Sequence, residues 1–394
     1  MFNSTSLALG KKRSTIRELF EYGKRRAAEI GRENIFDFSL GNPSVPAPAE
    51  VNAAIKAITD TTDSVALHGY TSAQGDAEVR KTLADDLNAR FDAQMNADCL
   101  YMTCGAASSL SCCLRALCEE GDEFIAFTPF FPEYRVFTEA AGGKLVTVAS
   151  LDGSFQLDLP ALERALTPRT KAVIVNSPNN PSGVVLNKES IDGLCAVLTK
   201  KSEAYAHPIF LIADEPYREL VYDGQDVPYL TKKYAYTFVC YSFSKSMSLP
   251  GERIGYVAVS PTMPCFADAY AAICGAGRAL GYVCAPSLMQ RVVASCIGKV
   301  SDVSVYRRNR DLLYHSLTDM GYTCVYPDGA FYLFVKSPVP DATAFCEKAK
   351  EFELLLVPSD DFGSPGYVRI AYCVSTDLIE RALPAFKKLI ESYR

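Results

Sequence analysis

Tryptophan is missing from this chain of 394 residues, and histidine is scarce at three: His68, His207 and His315. Three isolated imidazoles, with no CxxC pair matched by a second pair or by histidines at zinc spacing, argue against a metal centre. Long apolar runs are missing too. None reaches the roughly 18 residues a membrane span needs, and Lys11, Lys12 and Arg13 near the N-terminus are not followed by the apolar stretch of a signal peptide. A soluble, unprocessed protein is therefore expected. There is no block of basic residues, and 40 Lys and Arg against 46 Asp and Glu leave a net charge of −6, which speaks against nucleic acid as the main partner. Cysteine is not lacking, but its dense disulfide spacing is. Fourteen cysteines are scattered through apolar runs such as Cys112-Cys113 and Cys118, as core thiols are in a reducing cytoplasm.

What remains is a 48% hydrophobic chain long enough for two lobes. Short β-rich runs alternate with helical patterns through its middle, the rhythm of parallel βαβ units. Strands are expected at 100–103, 123–128, 144–149, 171–176, 209–214, 237–242 and 255–260. Runs such as Ala172-Val173-Ile174-Val175 and Phe210-Leu211-Ile212-Ala213 are apolar on both faces, so helices must cover both sides of one seven-stranded, mostly parallel α/β sheet. Helical patterns fall at 15–30, 49–60, 75–90, 107–119, 159–165 and 189–200, and one long helical stretch is expected at 285–320. Strands at 331–336, 353–358 and 367–372 suggest a smaller α+β domain. The expected division is a large domain at 46–284, and an N-terminal arm with a small domain at 1–45 plus 285–394.

Ligands of open parallel sheets bind outside the carboxyl ends of the strands, so those ends carry the functional reading. The strand at 237–242 runs into Tyr241-Ser242-Phe243-Ser244-Lys245, with Arg253 eight positions later. Two hydroxyls and a guanidinium suit a phosphate dianion, and a desolvated lysine becomes the free amine that attacks a carbonyl to give an imine. A phosphorylated aldehyde fits this pair of sites, and pyridoxal 5′-phosphate is its natural form. Neighbouring strand ends carry what its ring requires. Pro129-Phe130-Phe131-Pro132-Glu133-Tyr134 offers an aromatic face, and Asp214 offers a carboxylate for a protonated pyridine nitrogen. Asn180 and Tyr217 offer neutral donors for the ring oxygen. After the strand at 100–103, Gly105, Ala106 and Ala107 are small enough for backbone amides at a helix start to approach the phosphate.

With these motifs in order, nearly the whole chain resembles the fold type I pyridoxal-phosphate enzymes of the class I and II aminotransferase family, such as aspartate aminotransferases. The family's Asn-Pro-[Thr/Ser]-Gly stands at Asn180-Pro181-Ser182-Gly183, its Asp-x-x-Tyr at Asp214 and Tyr217, and its Ser-x-Ser-Lys with distal Arg at Ser242, Ser244, Lys245 and Arg253. The resemblance implies that Lys245 bonds the cofactor and then shuttles the substrate proton. Asp214 would hold the pyridine nitrogen and Asn180 and Tyr217 the ring oxygen. The phosphate would fall to Ser242, Ser244, Arg253 and the amides of Ala106 and Ala107. It also implies that Arg369 grips the substrate α-carboxylate beside Asn180 and the backbone of Gly41. Tyr70 matches the tyrosine that reaches the phosphate of a neighbouring subunit, which implies a homodimer. Arg278, in a glycine-rich loop, matches the region of a partner-subunit arginine for a distal carboxylate, so aspartate and glutamate are candidate substrates. Lacking tryptophan, the chain must stack Phe131 or Phe130 on the cofactor. Register favours Phe131, because Tyr134 then takes the place of a second aromatic.

The expected reaction is transfer of an amino group from an L-amino acid to a 2-oxo acid by a cytoplasmic enzyme. A β-eliminating C–S lyase of the same fold would use the same lysine and carboxylate, and a regulatory or ligand-sensing protein is a more remote alternative, since no helix-turn-helix segment precedes the core.

Overall fold

The computed structural model describes residues 2–11 and 15–394; Lys12 and Arg13 of the basic N-terminal group lie outside the described residues. Seven strands form one sheet: β1 (Leu100–Thr103), β2 (Glu123–Thr128), β3 (Lys144–Ala149), β4 (Thr170–Asn176), β5 (Phe210–Asp214), β6 (Thr237–Ser242) and β7 (Gly255–Val259). Their spatial order is β1-β7-β6-β5-β4-β2-β3. All neighbours are parallel except β7, which runs antiparallel to both β1 and β6. The chain turns back on itself between β6 and β7, and this reversal returns Arg253 to the end of β6.

The sheet is dry on both faces, as its unbroken apolar runs require. Alternate residues of one strand enter different cores: Leu211, Ala213 and Val239 on one face, and Ile212, Phe238 and Cys240 on the other. Covering helices start where the sequence offers a cap. Asp76 accepts from the amides of Glu78 and Val79, Asp158 from that of Ala161, and Asn187 from that of Ser190.

A four-stranded antiparallel sheet follows: β8 (Thr323–Val325), β9 (Tyr332–Lys336), β10 (Val357–Pro358) and β11 (Tyr367–Ala371), in the order β10-β11-β9-β8. It forms a separate core with the helices Val303–Asp319 and Thr376–Glu391. The N-terminal helix Thr15–Ile30 packs here, through Leu19 against Val357 and Phe362 and through Arg26, whose guanidinium meets Glu353 at 2.6 Å. Residues 36–37 pair in parallel with 354–355.

Two expectations change. The stretch 285–320 is two helices, Ser287–Ser295 and Val303–Asp319, because Gly298 adopts φ +76° between them and Asp302 caps the second by accepting from the amide of Ser304. Met289, Val292 and Val293 of the first belong to the core of the seven-stranded sheet, across the boundary expected at 284/285. The glycine-rich segment holding Arg278 is not a loop but the end of a helix, Phe266–Ala279. One of its glycines serves contact: a Cβ at Gly277 would lie 2.0 Å from Tyr101 Oη, so glycine there lets this helix lie close to β1, whereas a Cβ at Gly275 would meet open space.

Candidate active site

The register of the large sheet sets its chemical groups side by side. Asn176 at the end of β4 pairs with Asp214 at the end of β5, and Ser242 at the end of β6 pairs with Gly255. A cleft of about 310 Å³ opens there, bounded by these strand ends and by Gly41, Tyr332 and Arg369 from the other lobe. That volume is at the lower end of the ordinary range for small-molecule sites.

Asp214 is only 5% exposed. Its Oδ2 accepts from Tyr134 Oη at 2.5 Å, and its backbone carbonyl accepts from Asn176 Nδ2 at 2.8 Å. Its Oδ1 is buried with no partner. Burial pushes the carboxyl up to about 7, against the pull of the Tyr134 donor, and Glu215 adds to the rise. Desolvation of this size without a compensating bond is costly.

Lys245 lies on a single helical turn, Phe243–Ser246, whose start is capped by Ser242 Oγ accepting from the amide of Ser244. Its Nζ donates to Gly41 O at 2.7 Å and sits 5.4 Å from the ring centre of Phe331. Burial lowers the amine to about 8, with Arg253 and Arg369 pushing the same way and Cys373 opposing. A substantial fraction is thus neutral near pH 8, as a nucleophile or base requires.

Around Lys245, Ser242 Oγ and Ser244 Oγ are 2.7 Å apart, and Arg253 Nη1 donates to Ser244 Oγ at 3.4 Å and to Pro250 O at 2.9 Å. Gly105 lies under this group with φ +93° as the cap of the helix Ala106–Leu117, and a Cβ there would meet Arg253 Nη2 at 2.8 Å. Ala106 and Ala107 line the cleft, with the amide donors that a helix start leaves free. Arg369 Nη2 donates to Ser39 O at 2.6 Å and Nη1 to Asn180 Oδ1 at 3.2 Å, while its buried Nε has no partner. Tyr217 Oη meets Tyr332 Oη at 2.9 Å. Among the described residues no carboxylate forms an ion pair with Lys245, Arg253 or Arg369.

The donor set fits pyridoxal 5′-phosphate. An orphaned carboxylate oxygen suits a protonated ring nitrogen, the hydroxyls with Arg253 and two helix-start amides suit a phosphate, and Lys245 suits an aldehyde. Phe131 lines the cleft; Phe130 is packed beside Tyr134, with ring centres 6.5 Å apart. Tyr70, 89% exposed, and Arg278, also exposed, lie outside this cleft. Three residues of the site had no place in the sequence reading: Asn176 as brace of Asp214, Ile16 from the N-terminal helix at the cleft wall, and Tyr332. Tyr134, read only as a rim aromatic, proves to be a hydrogen-bond donor to the acid.

Chain-wide comparisons agree with this geometry. The family model described as "Aminotransferase class I and II" matches residues 33–386. A solved aminotransferase from Eubacterium rectale is 56% identical, superposes with a TM-score of 0.98, and is matched over 100% of this chain and 99% of its own. A probable aspartate aminotransferase from Methanocaldococcus jannaschii is 29% identical over 96% of this chain and 98% of its own length. The aspartate aminotransferase from Thermus thermophilus with maleate is 25% identical, with a TM-score of 0.86, over 99% of this chain and 100% of its own.

Stability of the cofactor-free protein is expected to record the buried acid. Because the folded-state value of Asp214 is raised from 3.8 to about 7, the native state binds more protons than the unfolded state between those limits, and its contribution is lost as pH rises through them. Asp214→Asn retains an acceptor for Tyr134 and removes the charge. Its melting temperature, measured without cofactor, is expected to equal or exceed that of the wild type at pH 8 and to fall below or match it at pH 4.5. A variant markedly less stable at pH 8 contradicts a penalised carboxylate.

Proposed function

The chain belongs to the aminotransferase class I and II family and is an aminotransferase, and on that premise we propose that it binds pyridoxal 5′-phosphate at Lys245 and acts on an L-amino acid and a 2-oxo acid in this cleft. The observation that carries the proposal is the unpartnered, buried Oδ1 of Asp214 on the wall of a cleft that also holds three cations without carboxylate partners. When bound, the cofactor supplies an aldehyde for the amine and a protonated ring that takes up the electron pair left by the departing α-proton. Asp214 holds the proton on the ring nitrogen and is itself kept ionised by that positive neighbour. Asn180 and Tyr217 donate to the ring oxygen. Ser242, Ser244 and Arg253 hold the phosphate, and the Arg369 guanidinium orients the substrate carboxylate, so that the bond to be broken is held in one direction. Lys245 Nζ would take the proton from the substrate α-carbon and deliver it to the carbon that bore the cofactor's aldehyde.

We also propose a cytoplasmic homodimer that accepts acidic substrates. Fourteen free thiols suit a reducing compartment. Tyr70 and Val65 are 89% and 82% exposed, an unusual state for large apolar groups and one that a partner subunit would relieve. Arg278, exposed and in no ion pair among the described residues, is free to serve the partner's cleft. The Thermus relative was solved with maleate, a dicarboxylate, which supports a distal acid on the substrate.

Borohydride reduction of the cofactor-loaded protein is expected to tag the peptide containing Lys245, and Lys245→Ala should lower turnover by about 10²–10⁴-fold or more. A tag on another peptide contradicts the assignment. In the same assay with an acceptor 2-oxo acid present, appearance of the acceptor's amino acid without ammonia release marks transfer rather than elimination. The dimer and Arg278 are tested together by mixing chains. Arg278→Ala should lower kcat/KM for aspartate by about tenfold or more while sparing alanine. Refolded with inactive Lys245→Ala, it should recover aspartate kcat/KM per competent site, because one of the two clefts then has both residues. No recovery means that Arg278 does not act across an interface.

A further inference from the structure

Tyr332, on β9, is 2% exposed and touches three parts of the site. Its hydroxyl lies 2.9 Å from that of Tyr217, and the Arg369 guanidinium sits 4.7 Å from its ring centre. A Cβ on Gly41 would fall 2.0 Å from its Oη, so glycine at 41 is what admits the hydroxyl, and the carbonyl of that same glycine accepts from Lys245. Of two paired hydroxyls, one donates and one accepts. Among the described residues each hydroxyl is the other's one hydrogen-bond partner, so whichever accepts must turn its own proton to the cleft, which both residues line. Burial raises both phenols, but Tyr332, with the Arg369 guanidinium over its ring, rises only to about 12 while Tyr217 rises well above its ordinary value, which makes Tyr332 the better donor of the two.

We infer that Tyr332 is a positioning residue that donates its hydroxyl proton to Tyr217 Oη and thereby keeps the Tyr217 proton directed at the ring oxygen of the cofactor. The inference rests on the assignment of this cleft to pyridoxal 5′-phosphate and deepens it. A hydroxyl that accepts a hydrogen bond is polarised into a stronger donor. The Tyr217 donor stabilises negative charge on the ring oxygen and so disfavours the proton that the bound chromophore takes up. Loss of the relay should raise the pH at which the chromophore titrates.

The test is the midpoint of the visible-absorbance titration of cofactor-loaded protein, measured for the wild type, Tyr332→Phe, Tyr217→Phe and the double variant. Phenylalanine keeps the ring under Arg369 and against Gly41, and melting curves check that each variant folds. Tyr332→Phe should raise the midpoint by about 0.3–1 pH unit, the range of one ordinary hydrogen bond. Tyr217→Phe should raise it at least as far, and the double variant should match Tyr217→Phe alone, since Tyr332 acts only through Tyr217. An unmoved midpoint in Tyr332→Phe beside a shifted one in Tyr217→Phe overturns the inference and leaves the cofactor assignment standing. Additive shifts overturn it as well, because Tyr332 would then touch the cofactor itself. No shift in Tyr217→Phe removes both the relay and the placement of Tyr217 at the ring oxygen. Protein that takes up no chromophore at all removes the cofactor assignment on which the inference stands.

Discussion

A carboxylate buried with one oxygen satisfied and the other left open is the constraint from which the rest of this structure follows. Asp214 ends a strand flanked by a strand on each side and is almost wholly buried, exposed only toward the cleft. Tyr134, from the helix after β2, holds Oδ2, and Asn176, from the adjacent strand, holds the backbone carbonyl. The remaining oxygen faces no protein donor. A fold that needed only stability would complete or delete this acid; the unfinished hydrogen bond makes sense when a cationic ring completes it.

The positive side of the site obeys a matching rule. Each of its three cations is held by a neutral backbone carbonyl rather than by an acid: Lys245 by Gly41, Arg369 by Ser39 and Arg253 by Pro250. A carbonyl fixes a side chain in place without cancelling its charge. These three side chains therefore keep their positive charge uncancelled, and crowding of like charges adds to burial in lowering the Lys245 amine. Two of these carbonyls come from the segment 39–41, of which the sequence pattern marks only Gly41. Its position is set from the small lobe, where the amide of Ala371 donates to Phe38 O at 2.9 Å.

Much of this was legible before any coordinates. Unbroken apolar runs predict a sheet covered on both faces, and the residue after each run predicts the chemistry at the strand ends, because side-chain type and its pattern along a strand are local properties. Asn180, Asp214, Tyr217, Ser242, Lys245 and Arg253, each in a motif of its own, line one cleft. What escaped was non-local or conflicted with local propensity. Tyr134 finds Asp214 from 80 residues away and Tyr332 finds Tyr217 from 115, and no spacing rule connects such pairs. Gly275 and Gly277 predict a loop, since glycine is a poor helix former, but close packing of Gly277 on Tyr101 outweighs that preference in the helix Phe266–Ala279. The antiparallel direction of β7 also has no local signal; it comes from the short return that brings Arg253 beside Ser244.

The central claim is that Asp214 Oδ1 awaits a protonated ring nitrogen. It is tested most directly by comparing the thermal stabilisation given by pyridoxal 5′-phosphate with that given by its carbocyclic analogue, in which carbon replaces the ring nitrogen, for the wild type and for Asp214→Asn. The account predicts that the wild type is stabilised substantially more by the natural cofactor and that Asp214→Asn loses most of that difference. Equal stabilisation of the wild type by the two compounds would contradict it.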